Sequence, residues 1–206
     1  MQTTREAADA ARVAAAHELT SPAGAQARAS WGSVAEAVAA SGLPAHLQAA
    51  AMAAADRQGV PSSLPAYGGK AVSLDVEAVA SILLRGWQAE RRQQALMLAE
   101  RFVAADGIGN GLLTLPDLWR CLSRLLRAMV ATGGEAAALA EPWLEPGAAE
   151  TLYDAMLTES LFLTPTLREG VISRPAFVAV MLRHSLVDVD YEAWLELHPE
   201  ERNVIL

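Results

Sequence analysis

The sequence has a single cysteine, Cys121, which excludes an internal disulfide and any cysteine-built metal cluster. Aromatic residues are scarce too: phenylalanine and tyrosine occur three times each, which leaves few bulky strand-formers. No apolar run approaches the roughly 20 residues that a membrane-spanning helix needs, because charge interrupts each one first. An excess of basic charge is missing as well. The net charge is −8, with 12 basic and 11 acidic side chains in residues 1–128 against 4 and 13 in residues 129–206. A nucleic-acid binder needs the opposite balance over a continuous face, so that class is set aside. The opening segment, MQTTREAADAARVAAAHEL, has neither a basic start nor a continuous apolar stretch with a small-residue cleavage site. No secretory leader or transit peptide is expected from it, and a reducing, cytoplasmic setting is the expectation.

What is abundant points to helices. Apolar residues make up 52% of the chain, and most are Ala, Leu and Val, which favours helix over strand. Turn chemistry recurs at Ser21–Gly24, Ser41–Pro44, Gly59–Gly69, Gly107–Gly111, Gly133–Gly134, Pro142–Gly147 and Pro165–Gly170. Between these turns the apolar residues repeat with a helical period. Val76, Val79, Leu83 and Trp87 form one stripe, Leu98 and Phe102 a second, and Leu118, Cys121, Leu122, Leu125 and Met129 a third. Leu157 and Leu161, then Phe177, Val180 and Met181, continue the pattern. The expected fold is therefore all-α. Residues 1–43 read as an Ala-rich helical segment, 44–92 as a helical region, 93–187 as a pair of related units and 188–206 as a short helix with a tail.

The stretch DGIGNGLLTLPD, Asp106 to Asp117, carries three alternating glycines. Their spacing fits neither the dinucleotide fingerprint nor the Walker loop, and the segment before them is helical rather than a strand. Gly68-Gly69-Lys70-Ala71 fails the Walker test as well, for want of the first glycine and the Ser/Thr. A twelve-residue calcium loop fits better. It takes oxygen ligands at positions 1, 3, 5, 9 and 12 and a carbonyl at 7, with glycine at 6 for the sharp turn. Counted from Asp106, position 5 is Asn110, position 6 Gly111, position 7 Leu112, position 9 Thr114 and position 12 Asp117. A second copy runs from Pro165 to Ala176, with Gly170 at position 6, Ile172 at 8 and Ser173 at 9.

These two stretches, with apolar residues in the same phase on either side, resemble EF-hands of the calmodulin and myosin-light-chain superfamily. The two glycines stand 59 residues apart, which departs from the usual spacing of tandem hands. A fainter echo, Val72-Ser73 before the helix that starts near Asp75, suggests a remnant hand entered by a helix from His46 to Arg57. The resemblance implies paired EF-hand-like helix–loop–helix units with additional N-terminal helices. No nucleophile, acid–base pair or cofactor loop recommends an enzyme, so no enzymatic activity is expected. The resemblance also implies a protein partner, an amphipathic helix received in an apolar groove, within a larger assembly of cytoskeletal or ciliary type. Neither nucleic acid nor membrane is expected as a partner.

The ligands available at 106–117 are Asp106, Asn110, the Leu112 carbonyl, Thr114 through water, and Asp117. Position 3 is Ile108, and Asp117 replaces the bidentate Glu, so too little negative charge gathers to offset dehydration of the ion. Weakly held Ca²⁺ or Mg²⁺, or no ion, is expected there. Loop 165–176, with Pro165, Leu167 and Ala176 in place of acids, reads as empty of any ion. The loop is thus a corner first, an ion site second and a phosphate cradle last. Leu113 and Ile172 are expected to pair in a short bridge, with Thr114 and Ser173 capping the helices that follow. A calcium sensor with one working site at 106–117 is the alternative function.

Other candidates lie outside the loops. Arg120, Arg124 and Arg127 share one side of a helix and could grip an acidic partner or pair with the chain's own acids. Leu118 and Trp119 are adjacent, so one must face away from the core, and Trp119 and Trp194 are the expected interface anchors. The four histidines are scattered without metal-ligand spacing, and Cys121 reads as a small core residue.

Overall fold

A computed structural model describes residues 28–61, 72–145, 147–166, 170–187, 190–202 and 204–206. Residues 1–27 of the Ala-rich segment, most of the Gly59–Gly69 stretch, Lys70 and Leu167 to Glu169 of the second loop lie outside the described residues. The described chain is mostly helical. Its helices are α1 (Trp31–Ala40), α2 (Ala45–Gln58), α3 (Val76–Ala105), α4 (Leu115–Thr132), α5 (Gly134–Ala140), α6 (Ala148–Leu163), α7 (Arg174–Arg183) and α8 (Tyr191–Leu197). The strands are short: β1 (Arg28–Ser30), β2 (Val60–Pro61), β3 (Val72–Asp75), β4 (Leu112–Leu113) and β5 (Ile172–Ser173). Among the described residues, no helix is long and apolar enough to cross a membrane.

The chain divides into two compact units. One comprises the described residues up to Arg92 with those from Tyr191 on, the other the described residues from Gln93 to Asp190, and the boundary falls within α3. In the first unit β3 is the centre of a three-stranded antiparallel sheet, paired with β1 at Arg28↔Asp75 and with β2 at Val60↔Ser73. Val72-Ser73 therefore lies in this sheet, and β3 runs directly into α3 as β1 runs into α1. Val34, Val38, Leu47, Ala51, Leu74 and Ile82 pack the core beneath. The tail belongs to that core. Leu206 is buried, its carbonyl accepts from the Arg57 guanidinium at 3.2 Å, and Arg92 pairs with Glu201 at 2.7 Å.

The second unit contains both glycine corners. The α4 helix begins after Thr114 in extended backbone, has Pro116 in its first turn and ends at Gly133, whose φ of +77° a side chain would resist. Its inner face, Leu118, Leu122, Leu125 and Met129, follows the expected period and is fully buried. Phe102 at the end of α3 meets Phe177 of α7 edge to face, 5.6 Å between ring centres. Both rings are shut off from water, which contributes about 1.5–3 kcal/mol for each ring.

The phase of α6 differs from expectation. Leu152, Met156 and Ser160 face the core, whereas Leu161 is 49% exposed. The buried stripe therefore ends one residue earlier than it does before the first corner: Ser160 precedes Gly170 by ten residues, Phe102 precedes Gly111 by nine. An extra residue at that point turns the apolar run Leu161–Phe162–Leu163 outward.

Candidate functional site

The first corner is built around one carboxylate. At its entrance α3 ends, and Asp106 accepts amide hydrogen bonds from Gly109 (2.9 Å) and Asn110 (3.3 Å) on Oδ1 and from Gly111 (2.6 Å) on Oδ2. Gly109 and Gly111 hold φ near +72° and +76°, which lets the chain curl back over that side chain. Asn110 then accepts from the Leu112 amide at 3.0 Å, delivering the chain into β4. Loss of surrounding water pushes the Asp106 carboxyl up, but the amides of Gly111, Gly109, Asn110 and Ile108 together outweigh this and hold it below the ordinary carboxylate value.

At the far end of the corner, Asp117 accepts from the Thr114 hydroxyl and from the Arg120 guanidinium, one on each oxygen. The Thr114 hydroxyl bond, the Arg120 contact and its charge lower the Asp117 pKa. Thr114 was expected to cap α4, yet its side chain makes no cap bond because its hydroxyl is turned to Asp117. Two of the expected ion ligands are thus already engaged: Asp106 fixes the loop amides and Asp117 carries a cation from its own helix. Ile108, at the third position, is 79% exposed and brings no oxygen there. Among the described residues, no three His, Cys, Asp or Glu side chains form a group able to hold a metal.

The second corner uses packing and hydroxyls instead. Gly170 again has positive φ, +79°. Ser160, buried at the end of α6, accepts from the Ser173 amide at 3.0 Å, and Ser173 caps α7 by accepting from the Ala176 amide at 3.4 Å. The Tyr153 hydroxyl donates to the Gly170 carbonyl at 3.3 Å. Sequence reasoning passed over Ser160; its signal was a lone hydroxyl in the run ESLFL, one residue before the leucine assigned to the core. The two corners meet through β4 and β5, antiparallel, with Leu112 opposite Ser173 and Leu113 opposite Ile172. Leu113 and Ile172 are fully buried and join the same core as Phe102 and Phe177.

The expected partner residues separate in the structure. Leu118 is buried and Trp119 is 40% exposed, while Arg120, Arg124 and Arg127 stand on the solvent side of α4. Arg120 is tied to Asp117. Trp194 differs from expectation: it is 7% exposed and stacks on His198 with ring centres 4.6 Å apart, so its indole serves its own unit and is not available as an anchor. Cys121 packs half-buried against the core, and burial raises its pKa although Arg101 and Arg124 pull the other way. His184 rests against the edge of Trp143 at 4.7 Å, and burial, then Arg183, lower its pKa.

Compared with known protein families, with curated proteins and with solved structures, the chain matches none.

Proposed function

We propose that this chain is a non-enzymatic, EF-hand-like protein whose paired corners serve packing and partner recognition rather than ion sensing. The observation that carries the reading is the Leu113↔Ile172 bridge, which joins two helix–corner–helix segments about one shared core. The partner is an amphipathic helix of another protein, received on apolar faces of the paired unit, and the chain acts as a fixed subunit of a larger assembly. Those faces are closed on each other around Phe102 and Phe177, so the incoming helix must part them and replace the contacts it displaces.

Loss of ion dependence is supported by the ligand chemistry. Arg120 already neutralises Asp117, and a cation would have to displace it. The second reading, a calcium sensor with one working site at 106–117, is favoured by Asp106, whose carboxyl the loop amides hold below its ordinary value. Calorimetric titration of the full chain with Ca²⁺ separates the two. The proposal expects no saturable heat at micromolar ion; a single micromolar site, lost in Asp106→Asn, would establish the sensor.

A further inference from the structure

Two helices of the second unit carry exposed faces of opposite character. On α4, Arg124 and Arg127 stand one turn apart on the solvent side, with exposed Trp119 near the start of the helix. On α6, Glu150 and Asp154 are exposed one turn apart, and the same face continues to Leu161, 49% exposed, with Phe162, 80% exposed, at its edge. Among the described residues none of these four charges forms an ion pair, whereas neighbours on the same helices do: Arg120 with Asp117, and Glu159 with Arg183 at 2.8 Å. Leu161, Phe162 and Leu163 together expose an apolar patch at the end of α6, the kind of surface that interfaces bury.

The order of the groups along each helix is complementary. Trp119 precedes Arg127 by eight residues, and Phe162 follows Asp154 by eight, about 12 Å of helix in each case. Laid antiparallel, the aromatic ends coincide and Arg127 meets Asp154, while Arg124 and Glu150 each lie within about one further turn. We propose that α4 of one copy of this chain docks antiparallel on α6 of a second copy, Trp119 against Phe162 and the Arg124/Arg127 pair against Asp154/Glu150. This does not depend on the EF-hand-like reading.

The chain's net charge of −8 opposes association at long range. Salt screens that repulsion beyond about 8 Å at physiological strength, while contacting guanidinium and carboxylate groups lie inside that distance. One pair of helices buries little area, so the expected dissociation constant is weak, on the order of 10 μM to 1 mM.

Sedimentation equilibrium of the full chain at about 1 mM, the top of that range, tests the proposal. Reversible self-association is expected. Arg124→Glu/Arg127→Glu and, separately, Glu150→Arg/Asp154→Arg should each weaken it about tenfold or more, with unchanged circular dichroism. Mixing the two double variants in equal amounts should restore it, because each then presents the charges the other needs. A wild-type chain that stays monomeric, variants that associate like wild type, or a mixture that fails to associate would each overturn the proposal.

Discussion

The two glycine corners reach one shared bridge by different chemistry. The first holds its curl with a carboxylate, Asp106, which gathers three backbone amides at 2.6–3.3 Å on the surface. The second holds its exit with a buried hydroxyl, Ser160, which takes the Ser173 amide inside the core. The entering helices differ in the same sense, Phe102 filling space before the first corner where Ser160 stands before the second. The corners thus share a glycine of positive φ and the bridge, while the groups that hold their amides differ. The difference also places the energetic risk: the first corner is exposed to pH and charge, the second to cavities and unmet hydrogen bonds.

The contrast can be broken most severely at the contact the corners share. Phe177→Ala removes a ring with no exposure from against Phe102 and should cost about 3–5 kcal/mol in denaturant unfolding. A loss under 1 kcal/mol would mean that the two segments do not share a core. Next, Ser160→Ala leaves the buried Ser173 amide without its acceptor and should cost about 1–3 kcal/mol, measured the same way. A neutral result would show that the hydroxyl fills space only.

The glycines sharpen the comparison by their likeness. Gly111 and Gly170 both have positive φ and open space where a side chain would stand, so Gly111→Ala and Gly170→Ala should each cost about 1–2 kcal/mol for strain alone. Unequal losses would show that one corner has a different backbone. The smallest effect concerns Asp106. Its folded-state pKa is lowered, so it stabilises the protein above its unfolded value of about 3.9, and that contribution is lost as pH falls through the folded value. Asp106→Asn should lower the unfolding midpoint at neutral pH, and the gap from wild type should narrow below about pH 4. A gap independent of pH would assign the effect to shape and not to charge.

How much of this was legible in the sequence depended on what set each position. Helix α4 was readable because its apolar period, Pro116 and Gly133 all agree, and the Leu113–Ile172 bridge followed from aligning two glycines. The phase of α6 was not, because Leu157 and Leu161 repeat as well as Met156 and Ser160 do, and only packing decides between adjacent stripes. Trp194 was misassigned because an indole near the end of a chain reads alike whether it meets its own unit or a partner. Thr114 was read as a cap from its type and place, but local competition from Asp117 took its hydroxyl. The strand at Val72-Ser73 was not legible, because its sheet partners lie too far away in sequence to be seen.

The central claim is that the corners pair without an ion, and amide hydrogen exchange tests it most directly. With all divalent metal removed by EDTA, the amides of residues 112–113 and 172–173 should be protected, and adding millimolar Ca²⁺ should leave that protection unchanged. Free exchange in EDTA that becomes slow on adding Ca²⁺ would contradict the account.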